Sequence, residues 1–267
     1  MVNFLKRDEQ KLAKEFLTNG YIIRKVDDGK ALIGIRKLFN KIILKKNKIK
    51  SFHNNKDIFN KAHKYIKKNQ LNNFRLDLIN KLNREKDFRK RYFECSKKYL
   101  EQIVGNELVM QKKVNLSIQF PNDSSSLLDV HADVWSGDSP YEAVAWMPLV
   151  DCYKTKSMYI LPFSKYKKHE KNLFNKKIKN SKNLFNKIKK DVHWLNVKYG
   201  EVVIFNQCLP HGNVVNKTYE TRWSMNCRFK SVYSPYFDKK IGEFFEPISL
   251  KPVSEAAIKY NFPKINL

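Results

Sequence analysis

The chain has 267 residues, which suits one large domain with a sizeable hydrophobic core. Hydrophobic residues make up 42% of it and aromatic residues 13%, so the composition excludes an intrinsically disordered chain. Lysine and arginine outnumber aspartate and glutamate by 53 to 26, which gives a net charge of +27. Such a charge is typical of proteins that bind nucleic acid or another anionic partner.

Residues 1–105 are predicted to form a mainly helical supporting layer. Apolar residues recur at helical spacing up to Gly20, a residue type that commonly ends helices in the left-handed conformation. The run YIIRKV, from Tyr21 to Val26, then predicts a short strand. From residue 30 onward the pattern is again helical and charged, and it carries little visible chemistry.

Residues 106–235 are predicted to form a β-rich core. Short strand-like runs alternate there with turns, a spacing that favours a sandwich or a barrel. The runs are VMQKKVNLSIQF, AVAWMPLV, SMYILPF, EVVIFN and RWSMNCRFKSVY. We interpret residues 236–267 as a C-terminal extension of the same single domain, which spans residues 1–267.

A lysine-rich insertion at residues 165–190 interrupts this core. It contains a near-duplicate, KNLFNKKIKN followed by KNLFNKIKK, and two copies are too few for a solenoid. The insertion is either a basic helical lid or a solvated surface loop. The second interpretation fits the joint abundance of lysine, asparagine and isoleucine, a bias that an AT-rich coding sequence produces whatever the function.

Two residues of the segment LLDVHADVW are candidate metal ligands. His131 and Asp133 follow a strand-like stretch, and residues two apart on an extended backbone point to the same side. His211, after the run EVVIFN and a short turn, is the candidate for a third ligand. Two imidazoles and one carboxylate on one face of a metal leave positions open for O2 and a chelating co-substrate, as in non-haem iron(II) oxygenases.

An alternating strand-like run, TRWSMNCRF, begins shortly after His211. Its polar face carries Arg222, Ser224, Asn226 and Arg228, and its apolar face carries Trp223, Met225, Cys227 and Phe229. Such a strand can be solvated or can line a polar site. A guanidinium offers a two-pronged contact to a carboxylate and a hydroxyl adds one donor, so Arg222 and Ser224 are candidate ligands for a carboxylate.

Three further residues are candidates for cofactor binding. In VNLSIQF, Asn115 and Gln119 alternate with apolar residues, so their side chains either face inward as donors or form an outward polar face. Trp146 lies on the run AVAWMPLV, where it either forms an aromatic wall of the site or packs in the core.

These motifs together resemble the phytanoyl-CoA dioxygenase superfamily over nearly the whole chain. KEFLTNGYII resembles the opening helix and glycine turn of the family, and HAD resembles its metal pair. WMPLVDCYKTKSMYILPFSKYKKH resembles the stretch that ends in Pro-Gly-Ser-His in the family. YGEVVIFNQCLPHGNVVNKTYETRWSMNCRF resembles its closing stretch, with the distal histidine and the Arg-x-Ser pair.

A narrower resemblance links the chain to oxygenases of bacterial carbohydrate and aminoglycoside biosynthesis clusters. The phrases HADVWSGDSPYEAV and LPHGN carry it. Two features depart from the family pattern: residues 162–165 read Pro-Phe-Ser-Lys where the family has Pro-Gly-Ser-His, and the lysine-rich insertion is unusually long. Neither departure touches the candidate ligands.

The resemblance implies an α+β fold, with a double-stranded β-helix core of the jelly-roll or cupin-like type and N-terminal supporting helices. It implies that Fe(II) binds His131, Asp133 and His211. It also implies that 2-oxoglutarate chelates the iron while its far carboxylate meets Arg222 and Ser224. O2 then converts 2-oxoglutarate to succinate and CO2 and oxidises a substrate.

The expected activity is that of an Fe(II)- and 2-oxoglutarate-dependent dioxygenase that hydroxylates or otherwise oxidises a small polar substrate. The narrower resemblance implies a carbohydrate or nucleotide-linked sugar, in surface polysaccharide or related biosynthesis. Asp133 favours hydroxylation over halogenation, which needs an open metal position there. Two alternatives stay open: a nucleic-acid-directed oxygenase or demethylase, suggested by the charge, and a catalytically inactive β-helix binding protein. No aromatic and basic platform in the sequence favours nucleic acid.

The cysteines predict a reducing, cytoplasmic location. The four of them form no CxxC pair, and no secretory signal precedes the first predicted helix. No run of about 18 apolar residues predicts a membrane span. The oligomeric state does not follow from the sequence.

Overall fold

The structure is a computed structural model that describes residues 4–47, 55–173 and 180–261. Within these ranges the helices are α1 (Arg7–Asn19), α2 (Gly29–Asn47), α3 (Asn55–Asn60), α4 (Leu71–Arg84), α5 (Phe88–Glu94), α6 (Lys97–Ile103), α7 (Phe163–Leu173), α8 (Ser181–Ile188) and α9 (Pro252–Lys259). The strands are β1 (Tyr21–Lys25), β2 (Leu108–Gln111), β3 (Asn115–Gln119), β4 (Glu142–Pro148), β5 (Tyr159–Ile160), β6 (His193–Trp194), β7 (Glu201–Asn206), β8 (His211–Gly212), β9 (Arg222–Ser231) and β10 (Phe245–Ser249).

These strands form two antiparallel sheets. The larger sheet runs in the order β1-β7-β4-β9-β2-β10, and β3 also pairs with β9. The smaller sheet has the order β6-β5-β8. Strand β9 pairs with β4 along one edge, and with β2 and then β3 along the other. Because successive side chains of a strand point to opposite faces, those of β9 divide between the two faces of the sheet.

The main hydrophobic core lies between the larger sheet and helices α2 to α5. Trp223 of β9 is fully buried at its centre, and its indole Nε1 donates a hydrogen bond to the Phe59 carbonyl at 2.9 Å. The rings of Phe39 and Phe59 meet it edge-on, with centroids 6.3 and 5.3 Å away. The helical layer is thereby fixed to one face of the sheet. None of the helices in the described ranges is long and apolar enough to cross a bilayer.

Helix α1 ends where the sequence predicts. Gly20 adopts φ of 77°, and its amide donates to the Phe16 carbonyl. A β-carbon at Gly20 would lie within 3 Å of the side chains of Leu209 and Phe163. Glycine therefore permits both the left-handed backbone and the close approach that brings β1 alongside β7.

The mixed helical and antiparallel-sheet architecture confirms the predicted α+β class, but two strand predictions need correction. The run VMQKKVNLSIQF is not one strand: a turn at residues 112–114 divides it into β2 and β3, which pair with different parts of β9. In SMYILPF only Tyr159 and Ile160 form a strand. In both cases partner strands, rather than local residue preference, set the extent of pairing.

Helix α4 covers the edge of β3 that faces away from β9. The Asn83 side chain donates to the Val114 carbonyl at 3.0 Å and accepts from the Val114 amide at 2.9 Å. Arg75 Nη1 donates to the Leu116 carbonyl at 3.2 Å. Side chains of a helix thus bond the backbone groups that a further strand would otherwise pair.

The predicted insertion is helical in both of its described parts. Residues 174–179, in the middle of the insertion, lie outside the described residues. On one side, His169 of α7 is buried and its Nε2 lies 2.7 Å from the Asp191 carboxylate. On the other, Leu184 and Ile188 of α8 join a second apolar cluster around Tyr159 of the smaller sheet. These packed side chains distinguish both helices from a fully solvated loop.

We expect Trp223→Ala to lower the free energy of unfolding by about 3–5 kcal/mol, because it removes a large buried ring and leaves a cavity. Chemical denaturation followed by circular dichroism measures the loss. The matched control is Trp135→Ala, since Trp135 is 46% exposed. Equal, small losses in both variants would contradict the central role of Trp223 in the core.

Candidate metal centre

The two candidate histidine ligands are partners in an isolated antiparallel bridge. The His131 amide donates to the His211 carbonyl at 3.0 Å, and the His211 amide donates to the His131 carbonyl at 2.8 Å. Their rings lie on the same side, with centroids 4.3 Å apart. The backbone pairing therefore brings together two imidazoles from distant parts of the chain.

Both imidazole rings are oriented by a backbone carbonyl. His131 Nδ1 lies 2.7 Å from the Asp129 carbonyl oxygen, and His211 Nδ1 lies 2.9 Å from the Leu209 carbonyl oxygen. Because a carbonyl can only accept, Nδ1 must carry the proton in each ring. The lone pair of each Nε2 is then free to bind a metal, and the ring orientation is fixed in advance.

Asp133 completes a three-ligand cluster with these imidazoles. Its Oδ1 lies 3.6 Å from His131 Nε2, and the ligand atoms of all three residues lie within 4.8 Å of one another. Asp133 begins a 3-10 helix immediately after the extended residue Ala132. The structure thus brings together all three residues that the sequence singled out.

The strand-like stretch predicted before His131 is wrong. Residues 124–130 contain no strand, and extended pairing there is confined to the single bridge at His131. The same-side placement of His131 and Asp133 depends instead on one extended residue, Ala132, followed by a turn.

His211 is held ready as a neutral ligand. Burial, with a further contribution from neighbouring His131, lowers the pKa of His211 to about 4. The imidazole is therefore unprotonated near neutral pH, as metal binding requires.

The two oxygens of Asp133 have different partners. Oδ1 faces His131, whereas Oδ2 lies 3.2 Å from Arg228 Nη2, which also lies 3.5 Å from Asp138. Arg228 is oriented in turn by Gln207, whose Oε1 accepts from Arg228 Nε at 2.7 Å. One carboxylate oxygen is thus tied to the protein while the other points at the cluster.

A second polar group centres on Arg222. Its guanidinium is buried, and Nη2 donates to Ser117 Oγ on the neighbouring strand at 2.9 Å. Three buried polar atoms beside it have no hydrogen-bond partner in the described residues: Arg222 Nε, Ser224 Oγ and Gln119 Oε1. Strand register places Gln119 opposite Arg222 and Ser117 opposite Ser224. A buried cation with unused donors is a suitable environment for a carboxylate.

A cavity of about 680 Å³ contains the metal cluster and the Arg222 group. All four polar-face residues of β9 line it: Arg222, Ser224, Asn226 and Arg228. The alternate residues of the strand are fully buried in the core on the other face. The predicted division of β9 into a site-facing and a core-facing row is therefore confirmed.

The remaining sequence candidates occupy different environments. Asn115 lines the cavity, where its Nδ2 donates to Asn226 Oδ1 at 2.9 Å. Trp146 lines it as well, with a side chain that is nearly buried. Gln119 is fully buried but is not among the residues that line the cavity, and its amide donates to the Val214 carbonyl at 2.7 Å.

Sequence reasoning missed several residues of the site. It placed Arg228 on the polar face of its strand but did not identify it as the partner of Asp133. It gave no role to Arg75 or Asn72, although both line the cavity. Within the charged helical region of residues 30–105, no local pattern distinguishes an arginine that reaches the cavity from one in solvent.

Comparison with solved structures identifies proteins of the same fold. The non-heme monooxygenase ThoJ, solved as a nickel complex, matches 91% of this chain and 85% of its own, with 14% identity and a TM-score of 0.56. AviO1 from Streptomyces viridochromogenes Tue57 matches 87% of this chain and 99% of its own, with 12% identity and a TM-score of 0.53. EctD from S. alaskensis, in its apoform, matches 91% and 85%, with 11% identity and a TM-score of 0.56. At these identities the likeness establishes a shared fold.

Comparisons of sequence alone return nothing: no protein-family model matches the chain, and no curated protein matches it.

We expect Asp133→Ala to weaken the binding of a divalent metal such as Mn(II) by more than roughly a hundredfold, since even outer-shell losses cost 10–100-fold. Calorimetric titration of the metal-free protein measures this. Asp129→Ala is the matched control, because Asp129 is exposed, lies two residues before His131 and is outside the three-ligand cluster. Unchanged affinity in Asp133→Ala would remove Asp133 from the metal centre.

Proposed function

We propose that the chain is an Fe(II)- and 2-oxoglutarate-dependent dioxygenase that hydroxylates or otherwise oxidises a small polar molecule. One observation carries the proposal: two histidines and an aspartate form a three-ligand cluster in the same cavity as a buried arginine with unused donors. A two-histidine, one-carboxylate site leaves adjacent positions open on the metal.

The fold supports this proposal. We infer that the two antiparallel sheets form a double-stranded β-helix, with residues 1–105 as supporting helices, residues 106–235 as the core and residues 236–267 as an extension. A protein of the same fold is a non-heme monooxygenase solved with nickel, a divalent metal of the same row as iron. Imidazole ligands suit both nickel and iron.

In the proposed enzyme, His131 and His211 would hold iron through Nε2 and Asp133 would hold it through Oδ1. Bound Fe(II) supplies the activation of O2. The protein's own contribution is positional: two carbonyls fix the rings, and Arg228 holds the second oxygen of Asp133 away from the metal. Asp133 also favours hydroxylation over halogenation, because it fills the position that a halide would need.

The Arg222 group fits one end of 2-oxoglutarate. Its far carboxylate would receive Arg222 and the Ser224 hydroxyl, which gives a partner to donors that have none in the described residues. The other carboxylate and the keto oxygen would chelate the metal. Burial strengthens the charge-assisted contact and excludes water from it.

The cavity also supports a small polar substrate. Besides the groups already assigned, its lining includes the amides of Asn69, Asn72, Asn115, Asn213 and Asn226. Amides that both donate and accept suit hydroxyl-rich molecules, and we propose a carbohydrate or a nucleotide-linked sugar as substrate. Four unpaired cysteines fit a reducing, cytoplasmic setting, which is part of the same proposal.

We expect Arg222→Ala to raise the dissociation constant of 2-oxoglutarate, with a loss of about 2–5 kcal/mol, because it removes a buried charge-assisted contact. Calorimetry on protein loaded with Mn(II) measures the change. Arg24→Ala is the control, since Arg24 is a partly buried arginine of β1 that is ion-paired with Glu15 of α1 and does not line the cavity. Unchanged 2-oxoglutarate affinity in Arg222→Ala would eliminate Arg222 as the carboxylate ligand.

We expect members of a panel of free sugars and nucleotide sugars to stimulate the release of succinate from 2-oxoglutarate, and acyl-CoA esters and methylated oligonucleotides not to stimulate it. The physical reason is the group of side-chain amides that lines the cavity beside its apolar residues, since these amides can bond the hydroxyl groups of a sugar. Succinate is measured with Fe(II), 2-oxoglutarate and O2 present, and Asp133→Ala protein gives the background. Stimulation by acyl-CoA or oligonucleotide alone would overturn the substrate class and leave the iron chemistry standing.

A further inference from the structure

We propose that Arg75 forms a subsite for an anionic group of the substrate, so that the substrate is a phosphorylated or carboxylated polar molecule. The inference rests on the proposed function for the occupants of the metal and Arg222 positions. The substrate class is then an anionic polar molecule, and α4 of the N-terminal helical layer takes part in binding it.

One face of α4 and the short 3-10 helix before it forms a wall of the cavity. Lys68, Asn72 and Arg75 recur at helical spacing on that face, and all three line the cavity. The same helix also carries Phe74, Leu78 and Leu82, which are buried in the core. The core contacts of the helix therefore fix the position of its polar side chains.

The charges around the cavity are unequally matched. Of the acidic residues in the described part of the chain, Asp133 alone lines it. Arg228 is paired with Asp133 and Asp138, and Lys68 with Asp123.

Of the lysine and arginine residues that line the cavity, Arg222 and Arg75 remain. Neither forms an ion pair with a carboxylate of the described residues. Two unmatched guanidinium groups thus face one cavity.

The proposed cofactors neutralise only one of these two charges. The far carboxylate of 2-oxoglutarate pairs with Arg222. The near carboxylate, together with Asp133, would balance the two positive charges of the metal, and Asp138 is then left to balance Arg228. Arg75 keeps an uncompensated charge in a partly enclosed space, where the lower dielectric makes a counter-anion more favourable than in bulk water.

Arg75 is pre-positioned and has donors to spare. Its Nη1 donates to the Leu116 carbonyl at 3.2 Å and its Nη2 donates to Asn72 Oδ1 at 2.7 Å. These contacts use two of the five N–H groups of a guanidinium and hold the side chain against β3. The remaining donors can form the two-pronged contact that phosphates and carboxylates prefer.

Arg75 and Arg222 lie on opposite sides of β3. Arg222 belongs to β9, which pairs with one edge of β3, and Arg75 bonds the backbone at the other edge. Arg222 Nη2 donates to the Ser117 hydroxyl of β3, whereas Arg75 Nη1 donates to the Leu116 carbonyl of the same strand. The two arginines thus offer separate contacts in one cavity, Arg75 to the substrate anion and Arg222 to the 2-oxoglutarate carboxylate.

The test measures binding of two probes, inorganic phosphate and acetate, to protein loaded with Mn(II) and 2-oxoglutarate. Paramagnetic relaxation of ³¹P and of ¹³C-labelled acetate reports anions held near the metal and gives their dissociation constants. We expect Arg75→Gln to raise the constant of the preferred anion at least roughly tenfold, with 2-oxoglutarate affinity retained. The two arms decide between phosphate and carboxylate as the recognised group.

Arg84→Gln is the matched control, because Arg84 lies on the same helix, is exposed and does not line the cavity. It removes the same charge and should leave both constants unchanged. Equal effects of the two variants, absence of binding in the wild-type protein, or loss of 2-oxoglutarate affinity in Arg75→Gln would each overturn the proposal.

Two further measurements keep the subsite testable. Calorimetric titration of metal-free protein with phosphate and acetate tests the subsite even if 2-oxoglutarate fails to bind, an outcome that would sink the proposed function instead. If Arg75→Gln does not fold, crystals of the wild-type protein soaked in tungstate, an anion of phosphate shape, replace it. Anomalous density within hydrogen-bond distance of Arg75 supports the subsite, and absence of this density together with absence of acetate binding overturns it.

Discussion

Two backbone hydrogen bonds between His131 and His211 hold the candidate metal centre together. They join a loop before β4 to the short strand β8, and they set two imidazoles side by side. The carbonyls that orient the rings belong to residues two positions earlier in the same segments, at Asp129 and Leu209. The antiparallel pairing therefore sets the position of two ligands, the two carbonyls set their orientation and tautomer, and Asp133 reaches the same point from the adjoining turn.

Strand β9 connects this centre to the rest of the molecule. Its apolar row anchors the helical layer through Trp223, and its polar row lines the cavity from Arg222 to Arg228. The period of two in a strand makes this dual role possible, because alternate residues serve the core and the site independently. Tight packing of the apolar row of β9 in the core thus holds the polar row in a fixed position in the cavity.

The parts of the site that the sequence predicted are those whose chemistry is local. His131 and Asp133 are two residues apart, and the alternation around Arg222 is visible in the printed letters. The division of VMQKKVNLSIQF into β2 and β3 could not be foreseen, because it depends on which part of β9 each piece meets. The tie between Arg228 and Asp133 likewise requires the fold, since it joins residues that no local pattern relates. Alternation alone did not predict the position of Gln119. Its side chain is on the same row as Asn115, yet its amide donates to the Val214 carbonyl and it does not line the cavity.

The side chains of α4 that bond the outer edge of β3 make the helical layer a part of the site as well as a support. A version of the protein trimmed to its strands would expose that edge, which is a template for aggregation, and would lose one side of the cavity. The same arrangement separates two kinds of evolutionary change. Substitutions of the cavity-lining residues of α4 can alter which molecule binds in the cavity. The bridge between His131 and His211 is built from backbone atoms elsewhere in the chain, so these substitutions leave it unchanged. Among proteins that share this arrangement, we then expect substitutions that change substrate preference to occur in the helices and not at the metal ligands.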